Sequence, residues 1–140
     1  MGNINMGRVL LGGLLAGLVL NIGEILLNDL VLGAQMKEFF TRHNFAEPGT
    51  NFMIVAVGLT FVMGVVIVLG YACIRPRLGP GLKTAIIAGL FAWFGAYLYS
   101  GTINGVLFGI PASGIALVMV WGLVQYSVAA VAGAWLYKET

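Results

Sequence analysis

The sequence predicts an all-α integral membrane protein, a four-helix bundle built as two tandem helical hairpins with both termini in the cytoplasm. Three observations carry that prediction. Of the 140 residues, 60% are hydrophobic and only 9% charged, with a mean hydropathy of +0.99, too little polar surface for a domain immersed in water. Four apolar stretches are long enough to cross a bilayer, which takes about 20 helical residues. The breaks between those stretches hold the glycine, proline and charge that end membrane helices.

The spans are expected at 9–32, 52–74, 84–100 and 115–137, within one transmembrane domain covering 1–140. The segment 33–51 is polar and contains Pro48-Gly49. The segment 75–83 reads Arg-Pro-Arg-Leu-Gly-Pro-Gly-Leu-Lys, a basic, helix-breaking turn. The segment 101–114 is uncharged and glycine-rich, with Pro111, and is expected to be a simple hairpin connection rather than an extension of the third helix or a re-entrant stretch. Period-2 alternation is absent, so the spans read as helices and not as strands of a barrel. Arg8 and the run after it mimic the start of a signal peptide, but the polar face that follows and the lack of a small-x-small cleavage site favour a retained helix.

Orientation follows from the basic residues. Arg8, Arg75, Arg77, Lys83 and Lys138 share one side, and only Lys37 and Arg42 lie on the other. The positive-inside rule then puts both termini and the 75–83 turn in the cytoplasm. Tyr71, Trp135 and Tyr137 near the inner ends, with Tyr97 and Tyr99 near an outer end, suit aromatic belts. In the outer loop, residues 35–45 can form a short amphipathic helix in the interface, anchored by Phe39, Phe40 and Phe45.

A repeat supports the tandem arrangement. One constant offset pairs Gly12-Gly13-Leu14 with Ala88-Gly89-Leu90, Ala16 with Ala92, Asn28 with Asn104 and Gly33 with Gly109. A second pairs Gly58-Leu59 with Gly122-Leu123 and Tyr71 with Trp135. The repeat units are 1–76 and 77–140, related by a pseudo-two-fold axis along the membrane normal.

On the first helix Gly13, Gly17, Asn21, Glu24 and Asn28 fall on one stripe. The equivalent stripe on the third span is Gly89, Trp93, Tyr97, Ser100 and Asn104. The two stripes are expected to meet, with Gly17 opposite Trp93, and with Tyr97 or Ser100 as partners of Glu24. Ala129 with Gly133, and Ala130 with Ala134, are further packing seams, whereas Gly58 with Val62 is a weak one. Gln125, mid-membrane on the fourth span, should point at protein.

Glu24 is the lone acid well inside a span, about 24 Å along the helix from Arg8 at ~1.5 Å per residue. A carboxylate in hydrocarbon is costly and is a functional-site hypothesis by default. It is either a hydrogen-bonded lock within the bundle or a protonatable group for coupled transport. The intramembrane polar cluster is therefore expected to comprise Asn21, Glu24, Asn28, Tyr97, Ser100 and Gln125, and the helix-packing set Gly13, Gly17, Gly89, Trp93, Ala129 and Gly133.

Other chemistries find little support. No catalytic constellation is present, so no enzymatic activity is expected. The single cysteine, Cys73, cannot form an internal disulfide, and no zinc-type spacing occurs. His43, the one histidine, lies in the outer loop, so neither a metal nor another cofactor is expected. A net charge of +2 with scattered basic residues argues against nucleic acid as a partner.

The runs Leu20-Asn21-Ile22-Gly23-Glu24-Ile25-Leu26-Leu27-Asn28 and Tyr71 through Ala85 resemble a group of small bacterial four-span inner-membrane proteins with no established activity. That resemblance covers most of the chain and implies a multi-pass protein of a bacterial inner membrane. Glu24 also bears comparison with the essential first-helix glutamate of small multidrug transporters. It lies late in the helix rather than near its middle, however, and the aromatic and glycine pattern of those transporters is not reproduced. The expected role is that of an accessory or scaffolding subunit of a larger membrane complex, or of a self-associating protein, whose partners are lipid and other membrane subunits. The alternative is a small proton- or cation-coupled transporter using Glu24.

Overall fold

The computed structural model describes residues 3–139; Met1, Gly2 and Thr140, at the ends of the expected domain and of its repeat units, lie outside the described residues. The described residues form five helices and no strand. They are α1 Met6–Val31, α2 Gly33–Arg42, α3 Thr50–Leu78, α4 Leu82–Leu107 and α5 Ala112–Leu136. All but α2 are long and apolar enough to cross a membrane, which marks the chain as a multi-pass membrane protein. Two stretches widen into π-helix: Leu26–Val31 at the end of α1 and Phe94–Tyr99 within α4.

The four long helices form a rhombus in section. α1 and α4 each pack against both α3 and α5, and α3 touches α5 across the short diagonal. The contacts are made by small residues. A Cβ added to Gly64 of α3 would lie 2.7 Å from the Gly17 Cα, and one added to Gly13 would lie 2.6 Å from the Val65 Cα. A Cβ on Gly133 of α5 would stand 2.8 Å from the Gly12 carbonyl oxygen, and one on Gly89 the same distance from that of Tyr126. Backbones this close gain dispersion along their whole length, the main attraction available where lipid is as apolar as leucine. Ala16, Ala72, Ala85, Ala129 and Ala130 continue these buried seams, while Leu14, Leu18, Phe91 and Trp135 face outward. Small residues line the helix seams, with Leu20, Ile67 and Val68 buried among them.

The stripes on α1 and α4 do not meet as the sequence suggested. Gly17 lies against Phe61 and Gly64 of α3, not against Trp93. A glycine opposite a glycine permits backbone contact that a tryptophan would block. Trp93 instead donates its Nε1–H to the Met119 carbonyl of α5 at 3.0 Å.

Two connections are shorter than expected. α3 runs through Pro76, which forfeits one internal hydrogen bond, and ends two residues later at Leu78. The break falls at Gly79 and Gly81, whose φ values of +83° and +127° suit glycine. Thr84, 2% exposed, closes the turn by donating to the Gly79 carbonyl at 2.7 Å. The Gly81 N–H donates to the Tyr71 hydroxyl at 3.3 Å. At the other end of the bundle, α4 continues to Leu107, leaving Phe108 to Pro111 as the turn. The glycines of that stretch do not stop the helix; Gly105 is buried where a Cβ would press on Ile115 at 2.8 Å.

α2 follows α1 with only Leu32 between them. Phe39, Phe40, Phe45 and His43 cluster on it, and the Phe39 ring meets Phe108 of the α4–α5 turn edge-on at 6.3 Å. Glu38 and Arg42 pair across one turn of its exposed face at 2.5 Å.

Candidate functional site

Glu24 stands two residues before the π-helical end of α1, half-buried and aimed across the bundle toward α4 and α5. Three side chains donate to it. The Tyr97 hydroxyl, from the π-helical part of α4, bonds to Oε1. The Gln125 Nε2 of α5 reaches the same oxygen at 2.7 Å. The Asn28 Nδ2, one turn along α1, reaches Oε2 at 3.2 Å and also the Glu24 carbonyl at 2.8 Å. Donors to a charged acceptor make the stronger hydrogen bonds, so this tie joins three helices at one point.

Neighbouring residues hold the donors in place. Gln125 is 7% exposed, and its Oε1 accepts from the Trp121 Nε1–H at 2.9 Å. The same indole N–H lies 3.2 Å from the Gly23 carbonyl of α1. Gly23 makes room for this arrangement, since a Cβ there would lie 2.8 Å from the Gln125 Cδ. Gly122 does the same for Tyr97: a Cβ would fall 2.7 Å from the ring Cγ. Tyr126 meets the Tyr97 ring edge-on at 5.4 Å between centroids.

Of the six polar residues singled out in the sequence, four converge: Glu24, Asn28, Tyr97 and Gln125. Asn21 is buried but turns back along α1, donating to the Gly17 carbonyl at 2.9 Å. Ser100 donates to the Ala96 carbonyl rather than to Glu24. In the packing set, Gly13 and Gly17 pack against α3, Gly89 packs against α5, and Gly133 lies against Gly12 and Val68. Ala129 is fully buried, and Trp93 is half-buried against Met119. Trp121, Gly23 and Gly122 also shape the site, outside those two sets. The Trp121–Gln125 spacing of one helical turn was a readable signal, as was a glycine directly before the acid.

Beside Glu24, between the C-terminal parts of α1 and α4, opens a crevice of about 260 Å³. Its polar lining is Glu24, Asn28, Tyr97, Ser100 and Asn104, and Leu27, Leu32, Ala96 and Val118 form its apolar walls. Both π-helical segments border it. Such wide turns disturb the backbone ladder, and here Asn28, Ser100 and Asn104 each donate to a carbonyl in or beside one of them. Among the described residues, no three His, Cys, Asp or Glu side chains converge. What the arrangement can do chemically is hold a bundle together and accept hydrogen bonds.

Comparison of the chain with protein-family models, with curated proteins and with solved structures finds no match.

Proposed function

We propose that this chain is a small non-catalytic membrane subunit that works by helix contact, as an accessory or scaffolding part of a larger membrane assembly or by self-association. The observation that carries this reading is the way Glu24 is used. Its carboxylate is occupied by donors from α1, α4 and α5, so the costliest group in the interior is committed to joining helices. The outer surface adds support. A Cβ placed at Gly58, Gly70 or Gly95 would meet nothing within 4 Å, which leaves shallow notches on α3 and α4 where another helix can approach.

The same reading includes a bacterial inner membrane, cytoplasmic termini and a duplicated hairpin. The charge bias of Arg8, Arg75, Arg77, Lys83 and Lys138 against Lys37 and Arg42 supports that orientation. For the duplication, Asn28 and Asn104 occupy matched positions in the two halves, and each donates to the carbonyl four residues earlier at 2.8 Å. A second reading, proton- or cation-coupled transport, is favoured by one feature: the crevice opens onto the Glu24 carboxylate.

Extraction from native membrane in mild detergent, with identification of co-purifying chains, tests the first reading. Migration with larger companions or as a homo-oligomer is expected, and Glu24→Gln should leave it unchanged, since an amide still accepts from Tyr97. Monomers throughout, together with an ion flux in liposomes that Glu24→Gln abolishes, would overturn it in favour of transport.

A further inference from the structure

The crevice beside Glu24 is unusual in what it offers. Asn28 spends its amide N–H groups on the Glu24 carbonyl and Oε2, Asn104 spends one of its two on the Ser100 carbonyl, and the Ser100 hydroxyl is spent on Ala96. Their two Oδ1 atoms accept from no group among the described residues. Glu24 Oε2 accepts only from Asn28, at 3.2 Å. The lining therefore presents mostly acceptors and one negative charge, with every donor but one Asn104 N–H engaged. A ligand that complements it carries N–H donors and a single positive charge.

Size and walls narrow the choice further. At about 260 Å³ the crevice holds several times the roughly 30 Å³ of one water, more than a bare ion fills. With one carboxylate and no converging His, Cys or second acid, the donor set is poor for a divalent metal. Leu27, Leu32, Ala96 and Val118 offer apolar contact to the carbon atoms attached to the charged nitrogen. The flanking π-helical turns add weight, because such turns recur at binding sites.

We infer that the crevice between α1 and α4 binds a primary ammonium group, through Glu24 and the side-chain carbonyls of Asn28 and Asn104. The group comes either from a soluble amine or from the headgroup of a phosphatidylethanolamine lipid in the leaflet that surrounds the outer ends of α1 and α4. This site goes beyond the helix-contact reading and needs neither assembly nor transport. Trp121, linked to Glu24 through Gln125, is a built-in reporter.

The test uses the purified full chain in nonionic micelles, titrated at constant ionic strength with ethylammonium or tetramethylammonium chloride, and in nanodiscs of phosphatidylethanolamine or phosphatidylcholine. Thermal midpoint and tryptophan emission are read. Both should shift with phosphatidylethanolamine and not with phosphatidylcholine or tetramethylammonium, which carry the charge without an N–H. A matching shift with ethylammonium supports the soluble source, and a shift with the lipid alone supports the headgroup. Glu24→Gln should weaken the response roughly tenfold or more, as loss of a charge-assisted hydrogen bond does. Asn104→Leu, whose side chain makes no bond to another helix, should weaken it severalfold while leaving the unliganded midpoint in place. Equal responses to the N–H-bearing and N–H-free probes would overturn the inference, as would undiminished binding in both variants.

Discussion

Replacing Gly64 by alanine tests whether glycine contact builds this bundle. A Cβ at Gly64 would lie 2.7 Å from the Gly17 Cα and closer still to the Gly13 carbonyl and the Gly17 nitrogen. Carbon atoms rest at about 3.5–4.0 Å, so α1 and α3 must part by roughly 1 Å at their crossing. The atoms in the way are backbone, and neither helix can yield by rotating a side chain. Overpacking of this kind costs about 1–3 kcal/mol, against a helix-propensity gain of about 1 kcal/mol for Gly→Ala. Gly58→Ala, on the same helix, has the same propensity gain and meets nothing within 4 Å. Denaturant or thermal unfolding in micelles, followed by circular dichroism, should show Gly64→Ala less stable than wild type and Gly58→Ala equal or slightly more stable. Two variants within about 0.5 kcal/mol of each other, a typical limit for a substitution that disturbs nothing, would refute the reasoning. In native membrane Gly58→Ala should loosen partner contact without unfolding the chain.

Tyr97→Phe and Gln125→Leu each remove a donor to Glu24, and each should lower stability in micelles by about 1.5–3 kcal/mol, with the double variant falling short of the sum. Gly81→Ala places a side chain at φ +127°, ψ −174°, a region nearly closed to residues with a Cβ, and should cost about 1–3 kcal/mol by the same unfolding assay. Glu139→Gln breaks the partly exposed pair with Arg75, which is 3.3 Å long, and should change the midpoint little at low salt and not at all at high salt.

Much of the fold was legible in the sequence because hydrophobic length alone separates span from loop. Where the boundaries differ, a local rule lost to its context. Pro76 reads as a helix breaker, yet it sits so near the end of α3 that the helix absorbs it and stops at Gly79 instead. The glycines of 101–107 read as a loop, but Gly105 is where α4 and α5 come close, and a helix persists. The polar stripe on α1 was readable from helical spacing, and it correctly brings Asn28 to Glu24. What faces a stripe is a different kind of information. Gly13 and Gly17 announce a close neighbour without naming it, and Gly64 on α3 carries no periodic signal that distinguishes it from Gly58. The Trp121–Gln125–Glu24 relay depends on the rotation of α5 about its own axis, which no single helix encodes.

The pairing of glycine seams with one acidic tie has a physical logic. Contacts between Gly and Ala surfaces are strong in sum but weakly directional, so a helix can slide by a turn and find similar ones. A carboxylate met by three donors cannot slide, because any displacement leaves a charge unsatisfied in a medium that will not solvate it. At one end of the bundle Glu24, Tyr97, Gln125 and Asn28 set the register of α1 against α4 and α5. At the opposite end the work is done without an interior acid: Arg75 lies over the Tyr137 ring at 5.6 Å and pairs with Glu139, Tyr71 packs edge-on against Tyr137, and Thr84 closes the turn. The sliding seams lie between two ends that do not slide. A crevice can therefore open beside Glu24 while Tyr97 and Gln125 hold one carboxylate oxygen and Asn28 alone bonds to the other.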